Sequence, residues 1–229
     1  MKFNYLFISL FLVSFLFSCD KDETPQATAS INVIHASPDA PGVDLLVDNS
    51  KVNTVALNFP EASGYLKVFS GTRNIKVNAT GTNNSVINAD LTFSADRYYS
   101  VYAYNRLASI AAIAVEDNLA MPAAGQAHIR FFHLSPNAPI VTVGTLSGAT
   151  FTPVFSNRSF ETQATASANQ NFTPVAAGTY TFDVQANGAS VLNLPNIVLQ
   201  AGKIYTVFAK GLVGGTGSQV LGAQIVTHN

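Results

Sequence analysis

"INVIHASPDAPGV", Ile31–Val43, returns as "IRFFHLSPNAPIV", Ile129–Val141, at an offset of 98 residues. Two further blocks repeat behind it. "YLKVFSGTRNIKV" (Tyr65–Val77) aligns with "FTPVAAGTYTFDV" (Phe172–Val184) at 107, and "FSADRYYSVYA" (Phe93–Ala103) with "LQAGKIYTVFA" (Leu199–Ala209) at 106. Self-similarity at this period means two tandem copies of one domain of ordinary size. The step in offset places an insertion of about nine residues in the second copy, at "SNRSFETQATASANQ", which reads as a loop. "DNLAMPAAGQ" joins the copies as a short Ala/Pro/Gly linker. The expected division is a leader at 1–18, a tether at 19–29, a first domain at 30–118, a linker at 119–126 and a second domain at 127–229.

Inside each copy the hydrophobic period is two. Ile31, Val33 and His35 share one face of "INVIH", and "VDLLVD", "YLKVF", "NIKVNA", "VINADLTF", "YYSVYAY" and "ASIAAIAVE" follow as short alternating runs. Gly, Pro, Asn and Asp clusters part them, and no helix-period segment of useful length occurs. About seven strands per hundred residues predict an all-β chain of two immunoglobulin-like antiparallel β-sandwiches. A transthyretin-like sandwich or an up-and-down barrel are the alternatives. "LQAGKIYTV" carries the Leu-x-x-Gly-x-x-Tyr pattern of a tyrosine corner, whose hydroxyl bonds nearby backbone. Tyr205 is the corner of the second copy and Tyr99 that of the first, where Asp96 stands in the Gly place.

Composition narrows the function classes. Of 229 residues 48% are hydrophobic, enough for a buried core, while 11% are charged and the net charge is −1. No basic block exists, so a nucleic-acid partner is not expected. The chain opens with "MKFN" and the apolar run "YLFISLFLVSFLF", too short for a spanning helix of ~20 residues. It ends in "LFSC", a pattern similar to the bacterial lipobox, with Cys19 as the lipidated residue and the membrane as partner through that anchor. Cys19 is the one cysteine, so no intramolecular disulfide can form. The acidic cluster Asp20, Asp22 and Glu23 behind it resembles the export signal of Bacteroidetes lipoproteins, which implies outer-membrane display at the cell surface.

His35, Ser37 and either Asp39 or Asp44 could be read as hydrolase groups, but the second copy puts Asn137 and Thr142 in place of the acids. What both copies keep is His35, Ser37, Pro38 and Pro41 against His133, Ser135, Pro136 and Pro139. That shared part reads as a turn in which proline fixes the exit from a strand. Asp39, Asp44 and Asp48 match no calcium loop, since no glutamate closes the shell. His128 and His133 fall on opposite strand faces and His228 is penultimate, so no zinc set is assembled. Neither GxSxG nor a P-loop occurs, and "GLVGGTGSQ" reads as a hairpin loop. No cofactor is expected. Tyr98, Tyr102 and Tyr104 share one strand face and form the candidate ligand platform for a sugar or peptide.

The first copy, with "VIHASPDAPGVDLLVD", "FPEASGYLKVFSGT" and "FSADRYYSVYA", resembles the bacterial domain of unknown function 4397. His35, Ser37, Pro38, Asp39, Ala40, Pro41, Asp44, Tyr65 and Gly71 match its pattern. The second copy keeps His133, Ser135, Pro136, Ala138, Pro139 and Gly178 and departs at Asn137, Thr142 and Phe172. The resemblance implies β-rich secreted or lipid-anchored envelope proteins and is silent on ligand. The expected function is a non-enzymatic binding or adhesion module for a glycan or envelope protein. A scaffold role in an outer-membrane complex is the alternative, with a hydrolase at His35, Ser37 and Asp44 more remote.

Overall fold

The computed structural model describes residues 26–229. The leader, Cys19 and the acidic cluster lie outside the described residues. Among the described residues, sixteen strands form four sheets of four. The first domain contains β1 (Thr28–Ala36), β2 (Val43–Val47), β3 (Ser50–Lys51), β4 (Ala62–Phe69), β5 (Gly71–Ala79), β6 (Ser85–Phe93), β7 (Tyr98–Tyr104) and β8 (Ala111–Glu116). The second contains β9 (Gln126–His133), β10 (Val141–Ser147), β11 (Thr150–Arg158), α1 (Gln163–Ala168), β12 (Thr173–Ala176), β13 (Gly178–Ala186), β14 (Ala189–Leu199), β15 (Ile204–Lys210) and β16 (Gly222–Thr227).

The expected class, all-β with two tandem sandwiches, is what the strands make. Sheet orders are β4-β1-β7-β8 with β3-β2-β5-β6 in the first domain, and β12-β9-β15-β16 with β11-β10-β13-β14 in the second. The two domains therefore share one strand order. Each has eight strands, and β1 pairs in parallel with β7, as β9 does with β15. Constant-type immunoglobulin domains group seven strands as ABED and CFG. The four-by-four grouping here departs from that count, and each domain remains a β-sandwich of two four-stranded sheets.

Local sequence explains the corners. Asp48 and Asn49 both take positive φ (49° and 67°) between β2 and β3, as do Asn187 and Gly188 (50° and 77°) between β13 and β14. Two successive left-handed residues are the geometry of a two-residue hairpin that follows the twist of its strands. Tyr99 accepts the Ser94 N–H at 3.0 Å, and Tyr205 accepts the Gln200 N–H at 3.2 Å. Asp96 (φ 58°) and Gly202 (φ 78°) hold the same left-handed place beneath these corners, which is why Gly and Asp interchange there.

Alternation on β1 sends Ala29, Ile31 and Val33 into the first sandwich, with Leu45, Ile75, Val77 and Phe93 opposite. The second sandwich is filled likewise by Ile129, Phe131, Val143, Phe182 and Val184. Yet β1 is buried along nearly its whole length, on both faces. The reason is a third core, between the domains. Ile34, Tyr102, Tyr104 and Val115 of the first pack there against Phe132, Leu134, Phe208 and Val226 of the second. Each fully buried large side chain contributes ~1.5–3 kcal/mol, so this apolar contact holds the pair together.

The insertion expected as a loop contains the helix α1. Thr162 caps it, its hydroxyl accepting the Thr165 N–H while the Thr165 hydroxyl accepts the Thr162 N–H. Ala166 is fully buried in the interdomain core, and Gln163 lies along β8, accepting from the Ala114 N–H at 2.9 Å and donating to its carbonyl at 2.8 Å. Gln170 accepts the Glu116 N–H at 3.2 Å. The second domain thus covers the free edge of the first domain's sheet with side-chain amides.

Candidate functional site

The doubled motif builds a corner in each domain. His35 is fully buried with Nε2 at 2.9 Å from the Pro41 carbonyl, and His133 is buried with Nε2 at 3.0 Å from the Pro139 carbonyl. Each ring donates to the carbonyl of its motif's second proline, closing a loop of seven residues. Burial pushes both rings below the ordinary imidazole pKa, so they are neutral at pH 7. No hydrogen bond joins His35 to Ser37, Asp39 or Asp44. The remote hydrolase arrangement is therefore not assembled: Nε2 gives its proton to backbone, and neither the buried Nδ1 nor the Ser37 hydroxyl has a hydrogen-bond partner among the described residues.

The acids go elsewhere. Asp39 accepts the Leu107 N–H at 2.7 Å, while Asn137 accepts the Val213 N–H at 3.0 Å and donates to the Val213 carbonyl at 3.0 Å. An acceptor is needed at that position and a charge is not. Asp44 pairs with Lys51 and the Gly81 N–H, and Asp48 with Arg73 and the Asn74 N–H. The three acids thus serve three separate anchors.

The expected tyrosine platform is not an open face. Alternation does place Tyr102 and Tyr104 together, but the second domain covers them: Tyr102 is fully buried, Tyr104 is 8% exposed and only Tyr98 reaches solvent, at 38%. Tyr102 packs edge-on to Phe132 and Phe208, and Tyr104 against Phe160. Their apolar bodies belong to a core that the sequence of one domain alone does not announce.

Beside this core lies a buried polar cluster. Arg130 is fully buried and donates to Asp117, to the Thr206 hydroxyl at 2.8 Å, to the Ser100 hydroxyl at 3.3 Å and to the Gln170 carbonyl at 3.2 Å. Its guanidinium also stacks on Phe172, 4.4 Å from the ring centroid. Asp117 accepts from the Tyr65 hydroxyl at 2.6 Å and the Ser100 hydroxyl at 2.8 Å. His228 joins Tyr65 through Nδ1 at 2.8 Å and Thr206 through Nε2 at 2.7 Å. Burial, with the Arg130 charge adding to it, pushes the His228 pKa down to about 4. Sequence reasoning missed this cluster. Arg130 sits one residue before two phenylalanines in a strand, which was its only signal, and a penultimate histidine gives none.

A third feature opens to solvent, at the end of the second sandwich where the motif turns lie. Ala138, Pro139 and Val141 of the second motif, Val184 and Leu192 of the hairpin, and Ala209 of β15 form part of the lining of a cleft of about 350 Å³. Val191, Val213 and Leu221 complete it, so every lining residue is apolar. The wall carrying Val213 and Leu221 is the β15–β16 connection, residues 211–221, five residues longer than its counterpart at 105–110. It is tightly folded. Leu212 donates to the Gln219 carbonyl and accepts from Leu221, and at Gly211 (φ 79°) a Cβ would lie 2.2 Å from the Val220 carbonyl oxygen. "GLVGGTGSQ" is thus a loop between strands as expected, and also one wall of the cleft. Ile140, Val191, Val213 and Val220 are each at least 42% exposed. The first domain seals the corresponding end with polar contacts, Ser85 to Asn78 and Thr82 to Ala79.

Residues 29–144 match the family model described as Domain of unknown function (DUF4397). The match begins within β1, spans the rest of the first domain and runs through β9 into β10, slightly over half of the chain. The chain belongs to the DUF4397 family. No curated protein matches it. Within the matched span, His35 and Asp39 tie down the corner and Tyr65 enters the interdomain cluster.

Proposed function

We propose that this DUF4397 protein is a lipid-anchored outer-membrane protein, displayed at the cell surface, that binds a protein partner without catalysing a reaction. The cleft at the loop end of the second domain carries this reading. Its volume falls in the usual range for ligand pockets, and function on sandwich domains concentrates in loops held by a rigid frame. A wall lined by apolar side chains suits an aliphatic or aromatic side chain and offers a sugar little to bond. Of the two partner classes expected, protein is therefore favoured over glycan. The "LFSC" run and the acidic residues behind Cys19 support the anchor and the display. The shared strand order and the two histidine corners support reading the second half as a divergent copy of the family domain. A scaffold role draws support from the interdomain core, in which side chains of both domains are buried against each other.

Arrays of envelope proteins and of glycans, probed with the wild-type chain and with Val191→Asp and Val213→Asp, test the binding reading. The expected result is saturable binding to a protein, weakened about tenfold or more, ~1.4 kcal/mol, by either substitution. Binding confined to glycans, or indifferent to both substitutions, overturns it. Incorporation of labelled palmitate into the wild type but not into Cys19→Ser tests the anchor.

A further inference from the structure

Each of the four sheets ends in two edge strands, and an open edge pairs with other chains unless something guards it. Seven of the eight edges here are guarded. The strand β3 has two residues. Gly64 (φ 72°) and a register slip bend the pairing of β4, and β6 carries Asp90. Prolines 153, 174 and 195 interrupt β11, β12 and β14. The eighth guarded position would be β16, but only its counterpart β8 is covered, by Gln163 and Gln170. The strand β16, "GAQIVT", has no proline, no charge and no register shift.

The backbone phase of β16 is fixed by the His228 N–H, which donates to the Ile204 carbonyl at 2.9 Å. Gly222, Gln224 and Val226 therefore face β15, and Ala223, Ile225 and Thr227 turn their N–H and C=O groups outward. These are the positions that Ala112, Ala114 and Glu116 hold on β8. Among the described residues the only hydrogen bond to this outward row is from the Gln224 side chain to the Ile225 carbonyl, at 3.4 Å. The insertion that covers β8 is missing from the first copy, so nothing equivalent reaches β16.

We propose that β16 pairs antiparallel with β16 of a second copy of this chain, joining two four-stranded sheets into one of eight. An edge reserved for a different protein would still need a guard against its own copies, and this one has none. Around a two-fold axis the same outward row meets itself, so every N–H finds a C=O and the assembly closes. A net charge of −1 sets up little repulsion between copies. The outward row of Ala223, Ile225 and Thr227 shares no residue with the lining of the loop-end cleft, although Ala223 lies opposite Ala209 of that lining, and Thr227 at the far end lies outside it.

Sedimentation velocity on the purified full chain, with Ala223→Pro beside the wild type, tests this. Proline is tolerated on an edge where the lost N–H points away from the sheet, so the variant should keep its thermal unfolding transition. The expected result is a concentration-dependent dimer for the wild type and a monomer for the variant. Amide exchange at Ile225 and Thr227 in the wild type gives a second readout, slow where the dimer is populated and fast on dilution. It decides alone if the proline variant does not fold. A wild-type monomer at every concentration, a dimer that Ala223→Pro leaves intact, or slow exchange in a monomer, meaning some other segment covers β16, each overturns the proposal.

Discussion

Asp117 and His228 hold the same position in the two halves of the chain, one residue past the last strand, and both side chains enter one buried cluster, 3.9 Å apart. The Asp117 N–H donates to the Tyr98 carbonyl at 2.8 Å, as the His228 N–H does to Ile204 at 2.9 Å. Offsets of the repeat extend the correspondence: Ser100 matches Thr206, Tyr102 matches Phe208, Tyr65 matches Phe172 and Asn32 matches Arg130. Equivalent faces of the two copies meet each other, as the halves of a two-fold dimer do. Divergence then placed Arg130 on one side and Asp117 on the other.

Removing one member of that pair strands the other. Asp117→Ala is expected to destabilise the chain by ~3–5 kcal/mol, because it leaves the Arg130 guanidinium buried without a counter-charge. The double variant Asp117→Ala/Arg130→Met should recover most of the loss, since a buried pair and an apolar substitute are close in free energy. Denaturant unfolding of the three proteins measures both. A cost below ~1 kcal/mol for Asp117→Ala, the range of a surface pair, would show that water reaches the cluster.

Acid should weaken the fold through its histidines before its carboxylates matter. The His228 pKa is about 4 in the folded chain against about 6.5 when unfolded. The unfolded chain therefore takes up the proton first, and stability present above pH ~6.5 is lost as pH falls toward 4. His35 and His133 are shifted the same way by burial. Asp44 and Asp183 are held below the ordinary carboxylate value, so their contributions fade only at lower pH. The expected slope is up to ~1.4 kcal/mol per pH unit for each histidine. Unfolding midpoints of wild type and His228→Gln across this window should show a shallower acid loss in the variant.

The fold was legible where local chemistry decides it. Period-two alternation located β1 and β7, and both tyrosine corners depend on neighbours a few residues away. The site was less legible, because what covers a face is a long-range fact. Tyr102 alternates correctly with Tyr99 and Val101, but nothing near it in sequence tells that Phe132 and Phe208 lie over it. The insertion gave the same difficulty. Its polar residues resemble a loop until Gln163 is seen lying against Ala114.

The corners make a paired prediction. Tyr99→Phe and Tyr205→Phe each remove one hydroxyl from one backbone N–H and should cost ~1 kcal/mol. Gly202→Val forces a β-branched residue to φ 78° and should cost more than either. Asp96→Gly, at the matching place in the first copy, should be within ~0.5 kcal/mol of neutral. Equal effects for Gly202→Val and Asp96→Gly in thermal unfolding would separate the two corners.

Asp39 decides between charge and geometry in the doubled motif. Its carboxylate accepts one N–H, from Leu107, and the second copy achieves the same with the amide of Asn137. Asp39→Asn should therefore leave stability nearly unchanged, while Asp39→Ala loses the acceptor and costs ~0.5–1.5 kcal/mol. A large loss for Asp39→Asn would mean the acid is needed as an acid, and the chemistry set aside for His35 and Ser37 would have to be reconsidered. The result expected, a tolerated amide and a damaging alanine, makes the motif a hydrogen-bonded clamp between the end of β1 and the β7–β8 loop. In the second domain the same clamp fixes Val213, and with it one wall of the cleft.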